Sequence, residues 1–248
     1  MTMKLGKTPA RPGAVSLKFA DYAAGLKITV PAMVNHSKFI LDGGGVLGND
    51  KYGDCVWAGA AHETIIWNGE AGSKVSFTDQ GVLSDYSAVT GFVPSDKYTD
   101  QGTDMQVAAS YRRKTGIVDA TGKRHIVDAY ISIKPGNKTE LKQAIYLFSN
   151  VGIGIRFPAS AMAQFAAGKP WTVSMFSRIE GGHYVPAIGY DSQYVYVVTW
   201  GKIQKMSWAF FCKYCDEAIV YLSSEMLSGA KSPEGFNVAQ LNADLAAI

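Results

Sequence analysis

Three cysteines and four histidines are the side chains of this 248-residue sequence best suited to nucleophilic or metal chemistry. Cys55 follows Gly53-Asp54 and opens the run CVWAGAAHETIIWNG, which is rich in apolar and small residues, free of Pro, and closed by Asn68-Gly69. Asp54 can cap a helix at this point, which places Cys55 in the first turn of a buried helix. The unpaired N–H groups and dipole of a helix start favour a thiolate over a thiol. Covalent catalysis by that thiolate also needs a base within reach and donors for the oxyanion that develops.

The histidines are unequal candidates for the base. His62 lies about two turns along the same helix, ~10 Å away at ~1.5 Å per residue, and cannot reach Cys55. His36 sits in a Pro/Gly-rich segment and His125 among charged residues, where exposure to solvent is the ordinary state. His183 opens a strand-like run after Gly181-Gly182, whose missing side chains leave room for a substrate backbone. It follows Cys55 by about 130 residues, a separation known between a cysteine nucleophile and its base. The competing reading of Cys55 is a buried structural thiol, because free cysteine is among the most buried residue types.

Other motifs carry less. Cys212 and Cys215 form C-x-x-C without the second ligand pair that a closed zinc site needs, and they read as structural cysteines. His62-Glu63 begins like a zinc-peptidase motif, but position 66 is Ile. The triplet Gly43-Gly44-Gly45 lacks the Lys-Ser/Thr of a phosphate loop and reads as a turn, and Arg112-Arg113-Lys114 as the solvated end of a helix. We expect no metal and no cofactor.

The elements that must position Cys55 and His183 follow from the same sequence. Helices are expected at 55–69, 79–89, 104–115 (capped by Thr103 or Asp104) and 141–150. Strands are expected at 126–133, 151–155, 183–190 and 194–200, with further β structure near 206–211 and 217–222, and an amphipathic helix from about Asn237. Helices come first and strands later without βαβ alternation, which is an α+β pattern with two lobes. The organisation expected is an extended arm over 1–45, one domain over 46–228 and a tail over 229–248.

The local sequences extend this reading. GNDKYGDCVWAGAA at 48–61 resembles the nucleophile segment of papain-like cysteine peptidases, GGHYVPAIGYD at 181–191 their histidine strand, and VVTWG at 197–201 the strand after it. The intervening segments fall in the family's order across roughly 46–222. The chain looks like a divergent branch of that fold, of the kind carried in tailed-phage genomes. The resemblance implies that Cys55 is the nucleophile and His183 the general base. It further implies that Asn49 stands in for the oxyanion-hole glutamine, and that Trp200 shields the histidine. Gly102 and Gly182 would lie against substrate backbone.

Two departures stand out. The family's orienting asparagine aligns with Val198, whose side chain cannot accept a hydrogen bond, and Thr199 substitutes only if the strand register shifts. The arm is also too short for the family's large inhibitory propeptide.

Composition bounds the function. The whole excess of +3 charges lies within residues 1–50, so the near-neutral body offers no basic face for nucleic acid. No apolar stretch is long enough to span a membrane, and no apolar region follows the first lysines, so neither membrane nor secretory signal is expected. The expected location is the cytoplasm or a virion. The expected function is a cysteine peptidase or related amide hydrolase acting on a polypeptide through Cys55 and His183. The alternative is a catalytically weakened or inactive papain-fold protein serving as a structural or interaction component, for instance of a phage virion. It would bind a protein partner and could assemble through the arm and the C-terminal helix.

Overall fold

The site rests on one long helix packed across one antiparallel sheet. The computed structural model describes residues 3–24 and 27–227; the helix expected from about Asn237 lies outside them. Short α1 (Phe19–Tyr22) and β1 (Val34–Asn35) precede α2 (Cys55–Glu70), which is buried on nearly every face; its residues are mostly apolar or small, and His62, Glu63 and Thr64 are buried with them. Helix α3 (Asp79–Thr90) is capped by Thr78, whose side chain accepts from Gly81 N, and ends at left-handed Gly91. Helix α4 (Met105–Lys114) is capped by Asp104, which accepts from the N–H groups of Gln106 and Val107. A small hairpin of β2 (Ile117–Val118) and β3 (Arg124–His125) completes the helical lobe.

The second lobe contains β4 (Ala129–Ser132), α5 (Lys138–Phe148), β5 (Val151–Pro158), α6 (Ala159–Ala166), β6 (Ile179–Tyr190), β7 (Tyr194–Thr199) and β8 (Lys202–Ser207). It continues through α7 (Trp208–Tyr214) and β9 (Cys215–Leu222) to a short α8 (Ser224–Leu227). The strands pair antiparallel in the order β4-β9-β5-β6-β7-β8, with β1 added to β6. The fold is α+β and two-lobed. A continuous hydrophobic core runs from Trp57 and Trp67 of α2 through Ile153 and Phe157 of β5 to Phe210 of α7. Each large side chain removed from water there contributes about 1.5–3 kcal/mol. No helix among the described residues is long and apolar enough to cross a membrane.

Several local expectations are corrected. Asp54 occupies the N-cap position of α2 but makes no side-chain cap bond. The strand expected near 206–211 ends at Ser207, whose hydroxyl accepts from Phe210 N and starts α7 instead; an N-cap serine overrides the β preference of Trp208 and two phenylalanines. Arg112 is no solvated helix end. The spacing Met105, Ala108, Ala109, Arg112 puts it on the buried face of α4, where its guanidinium meets Glu63 at 2.6 Å.

Candidate active site

The turn Gly48–Asp54 delivers the chain into α2. Leu47 and Gly48 hold positive φ angles of 56° and 93°, and the carbonyl of Gly48 accepts from Lys51 N and Tyr52 N. Cys55 therefore begins the helix with its sulfur against β6: its Sγ accepts from the backbone N–H of Tyr184 at 3.4 Å, the residue after His183. The same Tyr184 fixes the spacing between the two elements. Its ring lies on Gly59, where a Cβ would come within 2.4 Å of it, and its hydroxyl donates to Glu63 at 2.6 Å. Tyr184, Glu63 and Arg112 thus form a buried chain that ties β6 to α2 and α4.

His183 is buried, with its ring stacked on Trp200 at 4.3 Å between centroids and the edge of Phe157 at 5.5 Å. Trp200 is held in the left-handed region with Gly201 (φ 47° and 70°), in the two-residue turn joining β7 to β8. His183 Nε2 is 2.7 Å from Thr199 Oγ1, and Nδ1 is buried without a hydrogen-bond partner among the described residues.

The Thr199 contact comes from a bulge. Gly189 pairs with Tyr196, but Ala187 pairs with Val197, so Ile188 is an extra residue in β6. His183, Val185 and Ala187 share one face of the strand, and Val197 opposite Ala187 brings Thr199 to that face. A regular ladder continued from Gly189–Tyr196 would have brought Val198 there. Val198 instead packs on the opposite side with Ile40, Ile66 and Ile188. The shifted register puts Thr199, rather than Val198, on the face of the sheet that carries His183.

Burial sets the charge state of the pair. It pushes the Cys55 thiol up to about 12; nearby Asp54 adds to this, while N–H groups of Tyr184 and Gly6 oppose it. Burial also pushes His183 down to about 3 and holds the Asp54 carboxyl well above the usual carboxylate range. At rest Cys55 is a thiol and His183 a neutral imidazole.

The N-terminal segment lies over this site. Lys4 N donates to Asn49 O, Gly6 N and Lys7 N both donate to Gly182 O, Thr103 N donates to Gly6 O, and Thr8 N to Thr103 O. Residues 4–8 therefore run as an extended segment between the lobes, bridged at Lys7 antiparallel to Gly182 and parallel to Thr103. Gly102 and Gly182, read from the sequence as backbone-contacting glycines, lie against it: a Cβ on either would fall 2.2 Å from Gly6 O or Lys7 O respectively. A Cβ on Gly6 itself would fall 1.8 Å from Gly53 O. The Arg11 guanidinium pairs with Asp104 and with Gln106 Oε1 farther along.

The remaining residues singled out by sequence fall as follows. Asn49 is buried beside Asp54 and donates its side-chain amide to Tyr52 O at 3.0 Å. His62 is buried at Gly45 O, 2.9 Å away, and burial pushes it down to about 4. His125, expected in solvent, is buried between Asp119 (3.0 Å) and Glu225 (2.5 Å), because the charged residues around it in sequence fold over it as partners. His36 is mostly covered, stacked near Phe39 and 3.7 Å from Glu70. Cys215 is buried, but Cys212 is exposed on α7 and is no packing residue. Sequence reasoning missed Lys7, Asp216 and Glu217. Lys7 is buried with its Nζ 3.1 Å from Asp216 and 3.3 Å from Glu217; the one signal available was a lysine beside a glycine in an otherwise irregular arm.

No family model and no curated protein sequence matches the chain. Solved structures do resemble it. Xylellain, a cysteine protease from Xylella fastidiosa, shares 13% identity over 90% of this chain and 97% of its own, with a TM-score of 0.67. ProCathepsin B S9 from Trypanosoma congolense shares 11% over 88% and 86%, with a TM-score of 0.65. The Carica candamarcensis cysteine protease CMS1MS2, solved in complex with E-64, shares 15% over 78% and 99%, with a TM-score of 0.57. At such identities the likeness establishes the fold, which is papain-like.

Proposed function

We propose that this papain-fold chain is a cysteine peptidase or related amide hydrolase, held closed by its own arm, with Cys55 as nucleophile and His183 as general base. The observation that carries the reading is the hydrogen bonding of His183: Thr199 occupies Nε2, Nδ1 is left without a partner, and the Cys55 sulfur rests on the adjoining Tyr184 N–H. A ring whose Nε2–H is donated to Thr199 keeps a lone pair on Nδ1, the tautomer a base requires. When the arm lifts, water returns to the sulfur and the ring, which favours their charged forms. The thiolate forms by proton transfer from Sγ to Nδ1 and adds to the substrate carbonyl. The oxyanion is received by the Cys55 N–H, one of the unpaired amides of a helix start, and by the Asn49 amide once it gives up its bond to Tyr52 O. His183 returns the proton to the leaving amine, and water then cleaves the thioester with His183 as base.

In the closed form Gly6 lies beside Cys55 with its N–H donated to Gly182 O. The full-length Gly6→Ala protein is the test, since the added methyl cannot coexist with Gly53 O. Iodoacetamide should modify its Cys55 at neutral pH at least about tenfold faster than in the parent. Hydrolysis of a mixed peptide library should appear, and should vanish in Gly6→Ala/Cys55→Ala. A folded variant whose Cys55 stays inert at neutral pH sinks the reading.

A second reading is a papain-fold interaction module without turnover, as in a structural component of a virion. The filled cleft and the neutral resting pair favour it. An alkylatable Cys55 in the Gly6→Ala protein with no hydrolysis of any library peptide would select it.

A further inference from the structure

We infer that the cleft contains a subsite selective for a lysine side chain, floored by Gly154 and closed by Asp216 and Glu217, which the arm's Lys7 occupies in the closed form. This rests on the proposed peptide-hydrolase reading and names the side chain its substrate presents. Successive residues of a regular strand point to opposite faces, so adjacent carboxylates cannot ordinarily serve one ligand. Strand β9 escapes this rule. Gly154 pairs with Glu217 but Ile155 with Cys215, so Asp216 is a bulged extra residue and both carboxylates turn to the same cation.

The fit is to lysine. Its side chain is wholly buried, whereas those of Asp216 and Glu217 keep 15% and 21% exposure. Burial pushes the Glu217 carboxyl up and the Lys7 ammonium opposes that. An ammonium has three N–H donors, and three acceptor groups surround this one: Asp216 at 3.1 Å, Glu217 at 3.3 Å and Thr8 O at 3.1 Å. The last belongs to the occupant strand itself, so any peptide with a residue after its lysine supplies it. The stem passes over Gly154, where a Cβ would come within 2.2 Å of Lys7 Cε; Met105 Sδ lies 2.8 Å from the same point. A planar guanidinium is wider than this passage and presents its donors as a fork. On their other side, Asp216 and Glu217 border a cavity of about 500 Å³ lined also by Arg11, Val15 and Ile133.

The experiment uses full-length Gly6→Ala protein and hexapeptides of the arm sequence Met-Lys-Leu-Gly-Lys-Thr, capped at both ends, with the fifth residue Lys, norleucine, Arg or Glu. Binding is read by calorimetry, which requires no reaction at Cys55. The lysine peptide should bind at least about tenfold tighter than the norleucine peptide, the scale of a charge-assisted contact. It should also bind tighter than the arginine and glutamate peptides. That preference should collapse in Gly6→Ala/Asp216→Asn/Glu217→Gln. If Gly6→Ala does not fold, full-length Lys7→Met replaces it as the arm-released form. Equal affinity for lysine and norleucine peptides, no binding of the lysine peptide to a folded variant, or a preference that survives loss of both carboxylates overturns the subsite. Cys55 alkylation in the same protein judges the hydrolase reading separately. A reactive Cys55 without lysine preference removes the subsite alone, and an inert Cys55 with lysine preference removes the hydrolase alone.

Discussion

At the residue scale, the site turns on what holds His183. A threonine hydroxyl is a neutral partner that can donate as well as accept, so it orients the ring without committing it to one tautomer as firmly as a side-chain amide carbonyl would. Thr199→Val keeps the shape and removes the bond to Nε2. In an arm-released background it should slow peptide hydrolysis by about tenfold, on the scale of one net hydrogen bond. Thr199→Ser should preserve the rate, and steady-state kcat measured for both variants checks the pair of outcomes. Lys7 is the residue whose role was least visible in sequence: the carboxylates it meets lie near the other end of the described chain, and only the neighbouring Gly6 distinguishes it from Lys4.

At the element scale, the fold was largely legible and the site only partly so, for one physical reason. Helix caps, glycine stops and apolar runs are local signals, and they placed α2, α3, α4 and the β6–β7 pair close to where they lie. Bulges are decisions of pairing between distant strands. The extra Ile188 brings Thr199 instead of Val198 to His183, and the extra Asp216 turns two carboxylates to one lysine. Neither residue is of a type that announces a bulge. The buried face of α4 was likewise hidden by the run Arg112-Arg113-Lys114, where only the first residue points inward. Its partnership with Glu63 is a strong prediction about how the elements hold together. Arg112→Ala leaves Glu63 as a buried charge without its counter-ion and should cost about 3–5 kcal/mol, read by urea denaturation. Arg113→Ala, next along the helix and outside this ion pair, should cost far less.

At the scale of the whole molecule, one core passes beneath both lobes, and the titratable groups buried along it make its stability depend on pH. Burial holds His62 down to about 4 and His183 to about 3, whereas an unfolded histidine protonates near 6.5. Between those values the unfolded chain binds protons that the folded chain refuses. These two residues therefore withdraw stability as pH falls from about 6.5 toward 3. His125 runs the other way: burial lowers its pKa, but Glu225 and Asp119 raise it more, so its contribution is lost as pH rises. Cys55 and Cys215, both pushed up to about 12 by burial, withdraw stability above about pH 9. Denaturation midpoints across pH should show a plateau near neutrality, a steep loss on the acid side, and a shallower acid limb in His62→Gln.

The tethered arm has a further consequence for how such a molecule would respond to its surroundings. A strand joined covalently to the cleft it fills competes at an effective concentration in the millimolar range, whatever the protein's dilution. A free peptide at micromolar level hardly shifts that contest, so turnover would scale with the small fraction of time that residues 4–8 are released. Flux would stay first order in substrate but multiplied by that open fraction, and whatever takes hold of the arm would raise it without touching the chemistry of the site. Such a molecule works as an amplifier whose gain is set by the arm's partner and whose input is the substrate.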